Sequence, residues 1–378
     1  MGENYRNRAL VLTGGGARGA YQAGVLKYLA ENVPEAHFET LVGSSSGAIN
    51  VAGIASHRGN IQKAGPHIAL LWSRLEIKNV FRVDFISISR IAIRWIYDLT
   101  FGGILGRPTA HSLVDTSPLR DLLKGLIRPD NIQDAIDKGE LRHVAVSATE
   151  VYSGGLVTFV QSKSVKIWQR ARRRAKQTKL TVEHIMASSA IPMLFPSVLL
   201  DNRRYVDGCI RSTTPLSPAA RLGAEKIFAV GVRRFYTKEM GNNFDQNPVK
   251  PEPKASVAQL GALILNSLFS EGLDADVDHL ERLNTMIPHQ SEGSFTMRKI
   301  DVMVIRPSED LGAIAQQFHD ELPILVRYLL RGLGSERGDS SDILSYLLFV
   351  PKFTTKLIDL GYHDAREEHQ RIKNFFKD

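Results

Sequence analysis

A chain of 378 residues with 43% hydrophobic and 23% charged side chains has the ordinary balance of a globular protein, which excludes disordered, coiled-coil and collagen-like classes and allows a sizeable core. Lys and Arg number 48 against 40 Asp and Glu, a formal net charge of +8, so anionic surfaces such as acidic lipid or nucleic acid should attract it, and charge alone does not choose between them. The one cysteine, Cys209, cannot form an intramolecular disulfide, which suits a reducing compartment.

No apolar leader with a small-residue cleavage site follows Met1, and Arg6 stands where a myristoylation motif wants Ser or Thr. A cytoplasmic protein that touches the membrane only at its periphery is expected. Arg8 to Thr13 reads as a strand ending at Gly14-Gly15-Gly16, and Ala17 to Glu31 then spaces Ala20, Val25, Leu26 and Leu29 helically. Phe38 to Val42 is a second strand, stopped by Gly43-Ser44-Ser45-Ser46-Gly47 and followed by a helical stretch from Ala48 to Ala55. The apolar run Phe85 to Leu105 is broken by Arg90, Arg94 and Asp98 and falls short of the roughly 20 clean residues of a membrane span. Within it Phe85, Ile88, Ile91, Ala92, Trp95, Ile96 and Leu99 recur at helical spacing opposite Ser87, Arg90, Arg94 and Asp98. That amphipathic helix would either pack on the core or lie on a bilayer as a lid.

Further strands are expected at Leu141 to Ser147, Leu156 to Val160, Lys226 to Val232 and Ile300 to Ile305, with helical patterns such as Thr181 to Ala190 between them. The alternation predicts an α/β fold, a central mainly parallel sheet flanked by helices. Lys166 to Lys179 gathers Arg170, Arg172, Arg173, Arg174, Lys176 and Lys179 around Trp168. It reads as a basic helix face, solvated or attracted to anionic headgroups; with no recognised motif beside the charge, no nucleic acid partner is expected. Asn242 to Lys254, rich in Asn and Pro, reads as a surface loop, and Leu333 to Ser341 as a polar connection.

Three segments could carry chemistry. Gly43 to Gly47 fits G-x-S-x-G, the sharp strand-to-helix turn that presents a serine hydroxyl above a sheet, with Ser45 as nucleophile. Gly14-Gly15-Gly16-Ala17-Arg18-Gly19 also lies between strand and helix, where bare amides can hold a dinucleotide pyrophosphate or the oxyanion of an acyl transfer. A dinucleotide site wants an acidic residue ending the second strand, but here that end runs into Ser45 and Glu39 lies at the other end. Tyr205-Val206-Asp207-Gly208 places a carboxylate at a strand end beside a glycine turn; Asp207 could take the Ser45 proton as general base, helped by partial desolvation. A Ser-His-Asp triad using His279, His289, His319, His363 or His369 is the rival scheme. Pairs such as Glu183-His184 and His363-Asp364 lack metal-ligand spacing, so neither metal nor cofactor is expected.

These three pieces, in this order and with Ala187-Ser188-Ser189-Ala190-Ile191-Pro192 and Phe195-Pro196 between the elbow and Asp207, resemble the patatin-like phospholipase family. The resemblance runs from about Ala9 to Val232, and Ser345 to Phe349 with Gly361-Tyr362 looks like the C-terminal end of bacterial members; residues 240–340 match less clearly. It implies a three-layer fold with a catalytic core over 1–240, a helical insertion near 73–115, and a mainly helical part over 255–378 packed on the core as one structural unit. It also implies a Ser45–Asp207 dyad, an oxyanion loop from Gly14 to Gly19, with Gly15, Gly16 and Ala17 as candidate donors and Arg18 at the family's basic position, and supporting glycines Gly43, Gly47 and Gly208. Cys209 departs from the Gly or Ala of many members and is expected to be a small buried residue. The implied activity is hydrolysis of phospholipid or lysophospholipid esters through an acyl-enzyme. An acyltransferase using the same dyad, or a lipid-binding scaffold, shares the same residues, and oligomeric state is not legible.

Overall fold

A computed structural model describes residues 7–82, 114–192, 194–212, 215–234, 272–287, 298–324, 327 and 341–377. Among these residues ten strands form one sheet: β1 (Arg8–Leu12), β2 (Thr40–Ser44), β3 (His143–Glu150), β4 (Leu156–Gln161), β5 (Gln169–Arg170), β6 (Arg173–Gln177), β7 (Val198–Leu200), β8 (Arg203–Asp207), β9 (Lys226–Val230) and β10 (Asp301–Ile305). Their order is β10-β9-β1-β2-β3-β4-β6-β5, with β8 also paired to β3 and β7 to β8. From β10 to β3 every pairing is parallel. Antiparallel pairs enter beyond it, at β3 with β4, β3 with β8, β7 with β8 and β5 with β6.

The helices are α1 (Gly19–Asn32), α2 (Ser46–Ser56), α3 (Ile61–Ser73), α4 (Ser117–Leu126), α5 (Pro129–Lys138), α6 (Val182–Ser188), α7 (Ser217–Arg221), α8 (Leu273–Met286), α9 (Leu311–Gln316), α10 (Ser341–Leu347), α11 (Pro351–Glu367) and α12 (His369–Phe376), with one further helical turn at Ile77–Val80. Alternate strand residues take opposite faces. Leu10, Leu12, Leu41, Phe228 and Val230 pack in a core shared with α1, α2, α3, α11 and α12, while Ala9, Val11, Val42, Ile227 and Ala229 pack under α7 and α8. The result is the expected α/β architecture of helix, mainly parallel sheet and helix, with a helical C-terminal region.

Continuous apolar strands are what a sheet covered on both faces requires, and RALVL and KIFAV are buried along their whole length. α11 lies unusually close to α1. A Cβ on Gly24 would meet the Ile358 carbonyl oxygen at 2.0 Å, and one on Gly361 would meet that of Tyr21 at 2.1 Å, so each helix offers a bare backbone to the other.

Several expectations need correction. Lys166 to Lys179 is no helix: it contains β5 and β6, a hairpin turned at Ala171-Arg172 that extends the sheet edge beside β4. Ala175 alone of β6 is buried, with charged neighbours on either side, the pattern of a protected edge strand. Strong helix formers such as Arg, Lys, Gln and Ala concealed it, because pairing with β4 outweighs their weak intrinsic preference. The second strand runs over Thr40–Ser44 rather than from Phe38, and the helix expected from Ala17 is preceded by a 3-10 turn at Gly16–Arg18. The amphipathic Phe85 to Leu99 and the loop Asn242 to Lys254 lie outside the described residues.

Candidate active site

Two strands end head to head along one edge of β3. β2 is paired there as far as Ser44, opposite Ser147, and β8, running the other way, stops at Asp207, opposite the next residue, Ala148. Sheet register alone therefore brings residue 45 beside residue 207.

Ser45 leaves β2 with φ 53° and ψ −127°, a left-handed conformation that costs a residue with a side chain about 1–3 kcal/mol. Ser46 then opens α2. The strand, sharp turn and helix required of a nucleophile elbow are all present. The turn can be this tight because Gly47 lies against β1, where a Cβ would come within 2.1 Å of the Leu12 carbonyl oxygen, and because a Cβ on Gly43 would meet the Gly47 carbonyl at 2.5 Å.

The Ser45 hydroxyl donates to Asp207 Oδ2 at 2.6 Å. Asp207 Oδ1 accepts from the Cys209 amide at 2.8 Å, while its backbone is held by the Ala190 carbonyl (2.8 Å) and the Thr149 hydroxyl (3.0 Å). Asp207 has no exposed surface and Ser45 is 2% exposed. Burial pushes the Asp207 carboxyl up to about 6, against the opposing pull of the hydrogen bonds from Ser45 and Cys209. A carboxylate so placed is a better proton acceptor near neutral pH than one in water.

Ser188 and Ser189, whose roles sequence reasoning missed, clamp the elbow. The Ser45 amide donates to Ser188 Oγ (3.0 Å), which in turn donates to the Ser147 carbonyl (2.7 Å), and Ser189 Oγ donates to the Ser45 carbonyl (3.2 Å). Their only signal in the sequence was two small polar residues at the end of a helix. A second unforeseen brace runs from the Trp72 indole to Asn50 Oδ1 (2.7 Å), from Asn50 Nδ2 to the Gly19 carbonyl (3.1 Å) and Gln22 Oε1 (3.0 Å), and from Gln22 Nε2 to the Thr13 carbonyl (2.7 Å).

That brace holds the glycine loop against the elbow. A Cβ on Gly14 would lie 2.6 Å from Ser45 Cβ and 2.2 Å from Cys209 Sγ. Gly16, at φ 55°, sits against the Tyr346 carbonyl, which a Cβ would approach to 2.2 Å. Among the described residues the amides of Gly15, Gly16 and Ala17 have no intramolecular acceptor, as expected of the first N-H groups of a helical turn. Arg18 does not face solvent. It is buried, donates from Nε to Ser345 Oγ (2.7 Å) and stacks its guanidinium 4.3 Å from the centre of the Tyr346 ring. Cys209 is half-buried rather than buried, with its sulfur 3.7 Å from Ser44 Oγ. Gly208 packs on β3, where a Cβ would meet the Ser147 carbonyl at 2.3 Å.

Ser45 and Gly16 open on an apolar pocket walled by Ile49, Trp72, Leu75, Val80, Leu119 and Phe349. Among the described residues no histidine is hydrogen-bonded to Ser45 or Asp207, no group of three His, Cys, Asp or Glu side chains is placed to hold a metal, and no helix is long and apolar enough to cross a membrane.

The sequence model of the patatin family, patatin-like phospholipases, matches residues 10–220. Among solved structures the chain is similar to human GIVD cytosolic phospholipase A2 (TM-score 0.46, 10% identity), covering 98% of this chain and 60% of that one. It thus spans about three fifths of that protein's length. VipD from Legionella pneumophila gives a TM-score of 0.38 at 11% identity, with 97% of this chain and 67% of that chain covered. No curated protein sequence matches.

Proposed function

The chain belongs to the patatin-like phospholipase family, and from that premise we propose that it cleaves the carboxylic esters of phospholipids or lysophospholipids through an acyl-enzyme on Ser45. The observation that carries this reading is the 2.6 Å hydrogen bond from the Ser45 hydroxyl to a fully buried Asp207.

In the proposed cycle the Asp207 carboxylate takes the Ser45 proton as Oγ bonds to the ester carbonyl carbon, and the carbonyl π electrons move onto oxygen. The amides of Gly15, Gly16 and Ala17, which have no other acceptor among the described residues, would receive that oxyanion; one such donor is worth about 3–4 kcal/mol in the transition state. Collapse expels the alcohol oxygen, which leaves with the proton from Asp207. Water then repeats the sequence, giving its proton to Asp207 as it attacks the acyl-Ser45 carbonyl, and Ser45 regains the proton as the fatty acid departs. The apolar pocket beside Ser45 suits an acyl chain, and the family's lipid chemistry supports that assignment.

The test is incubation with a defined panel of phospholipids and lysophospholipids, reading fatty acid and lysolipid by mass spectrometry for wild type and Ser45→Ala. Release that survives the substitution sinks the nucleophile assignment. Transfer of the acyl group to an added alcohol in preference to water would make the protein an acyltransferase with the same dyad.

A further inference from the structure

The sheet end that carries Asp207 also presents an uncommon surface. β3 continues past Ala148, the register partner of Asp207, into a tight turn at Val151-Tyr152-Ser153. Val151 is 52% and Tyr152 99% exposed. Singly exposed apolar residues are ordinary, but an adjacent pair at a turn tip, one of them aromatic and wholly uncovered, is not required by any packing among the described residues. Leu199, also exposed, lies nearby on β7.

Arginines ring this tip. The Val151 amide donates to the Arg204 carbonyl (2.9 Å), which puts Arg204 alongside it, and Arg204 stands opposite Leu199 across the β7–β8 pair. On the other flank the Leu156 amide donates to the Arg172 carbonyl (2.9 Å), which sets the β5–β6 turn beside the β3–β4 turn. Arg211 Nη2 reaches to 3.6 Å from where a Cβ on Gly154 would stand. All three arginines are exposed.

The local carboxylates do not answer them. Glu150 is buried and committed to Arg203 (2.5 Å) and Arg174 (3.1 Å), and Asp201 pairs with Lys176. Among the described residues no carboxylate lies within ion-pair distance of Arg172, Arg204 or Arg211.

Arg204 Nη1 donates only to the neutral Ser197 carbonyl (3.2 Å) and hydroxyl (3.4 Å), and exposed aromatic and aliphatic tips inside a ring of arginines without a carboxylate partner among the described residues fit a surface that is apolar below and anionic above. We propose that this sheet end docks on an anionic phospholipid bilayer, with Tyr152 and Val151 entering the headgroup layer and Arg172, Arg204 and Arg211 receiving lipid phosphates. The surface shares the sheet end of Asp207, so docking delivers the bilayer to the side of the molecule where Ser45 lies. The proposal rests on the lipid-hydrolase reading for its purpose, and on its own residues for its existence.

The test separates binding from turnover. Full-length Ser45→Ala protein is partitioned onto vesicles of phosphatidylcholine alone, or mixed about equally with phosphatidylglycerol, by cosedimentation at low and high salt. Binding is expected to the mixed vesicles only, and to weaken as salt screens the charges. Arg172→Gln, Arg204→Gln and Arg211→Gln together should weaken partitioning about 100-fold, at about fivefold for each basic residue brought to the surface. Tyr152→Ser alone should weaken it several-fold. In a Ser45-intact background both variants should keep the thermal midpoint and the hydrolysis of a short water-soluble ester. Equal binding to neutral vesicles, or undiminished binding by the triple variant, overturns the proposal. So does an RNA homopolymer that binds through the same arginines while vesicle binding persists without them. A wild type that binds vesicles but cleaves no ester would refute the hydrolase reading and leave the surface standing.

Discussion

Changing Asp207 to Asn separates what this carboxylate does for stability from what the dyad asks of it. In the folded protein its pKa lies at about 6 against an ordinary 3.8, and the first cause is burial. The folded state therefore holds a proton that the unfolded chain has already released, so this group's stabilising contribution is fully present below the unfolded value and is lost as pH rises through about 6. A shift of about two units corresponds to about 3 kcal/mol at 1.36 kcal/mol per unit. Asn does not titrate and keeps an oxygen for the Cys209 amide, while its NH2 can donate to Ser45 Oγ. Asp207→Asn should thus match wild type near pH 4 and exceed it by up to about 3 kcal/mol near pH 8, while losing turnover as completely as Ser45→Ala. Urea denaturation followed by circular dichroism across that range measures the first. Wild-type kcat/KM on a short soluble ester measures the second, and should fall about tenfold from pH 7 to pH 5 as the base is protonated. An Asn variant less stable than wild type at pH 8, together with a flat rate profile down to pH 5, would refute the desolvated-base argument.

Ser45→Ala should abolish both ester cleavage and covalent labelling by a fluorophosphonate probe with an unchanged thermal midpoint; labelling that persists on another serine refutes the assignment. Gly14→Ala should cut kcat more than it raises KM, because its Cβ would stand 2.6 Å from Ser45 Cβ and 2.2 Å from Cys209 Sγ and displace the proposed nucleophile; steady-state kinetics on the soluble ester decide it. Arg18→Met should destabilise by at least about 2 kcal/mol, since it strips a charged donor from buried Ser345 and Tyr346, and should lower kcat as the glycine loop loosens; denaturation midpoints and kcat are the readouts. Replacing His279, His319, His363 or His369 singly with Gln should leave most of the activity, and a variant that folds yet does not turn over would restore the triad.

What could be read from the chain beforehand was governed by steric necessity. Gly14, Gly43, Gly47 and Gly208 each stand where a Cβ would strike backbone or Ser45, so the required residue type leaves few options and the motif shows in the sequence. The strands of the parallel half were equally legible, because a strand covered on both faces must be apolar throughout. The clamp by Ser188 and Ser189 and the brace through Trp72, Asn50 and Gln22 were not, since these are polar contacts between residues far apart in sequence, and nothing local marks a serine that will bond to a distant backbone. The hairpin at 169–177 was misread for a related reason: an edge strand needs only one buried side chain, here Ala175, and the rest of its composition is free to look helical.

The family match stops at residue 220, yet the glycine loop proposed to hold an oxyanion takes its shape from residues far beyond that point. Gly16 rests on the Tyr346 carbonyl, Gly15 faces Val232, and Arg18 is anchored by Ser345 and Tyr346. α1, which follows the loop, is packed backbone to backbone on α11 through Gly24 and Gly361, and β1, which precedes it, is paired to β9 at 226–230. We therefore propose that the described residues of 1–240 and 255–378 form one structural unit and not a catalytic domain with an appendage. Among the described residues the amides of Gly15, Gly16 and Ala17 are left without acceptors because long-range packing fixes the turn, and that rigidity is what the proposed preorganised donor site demands, since a loop free to relax would turn its amides inward or to water before the substrate arrived.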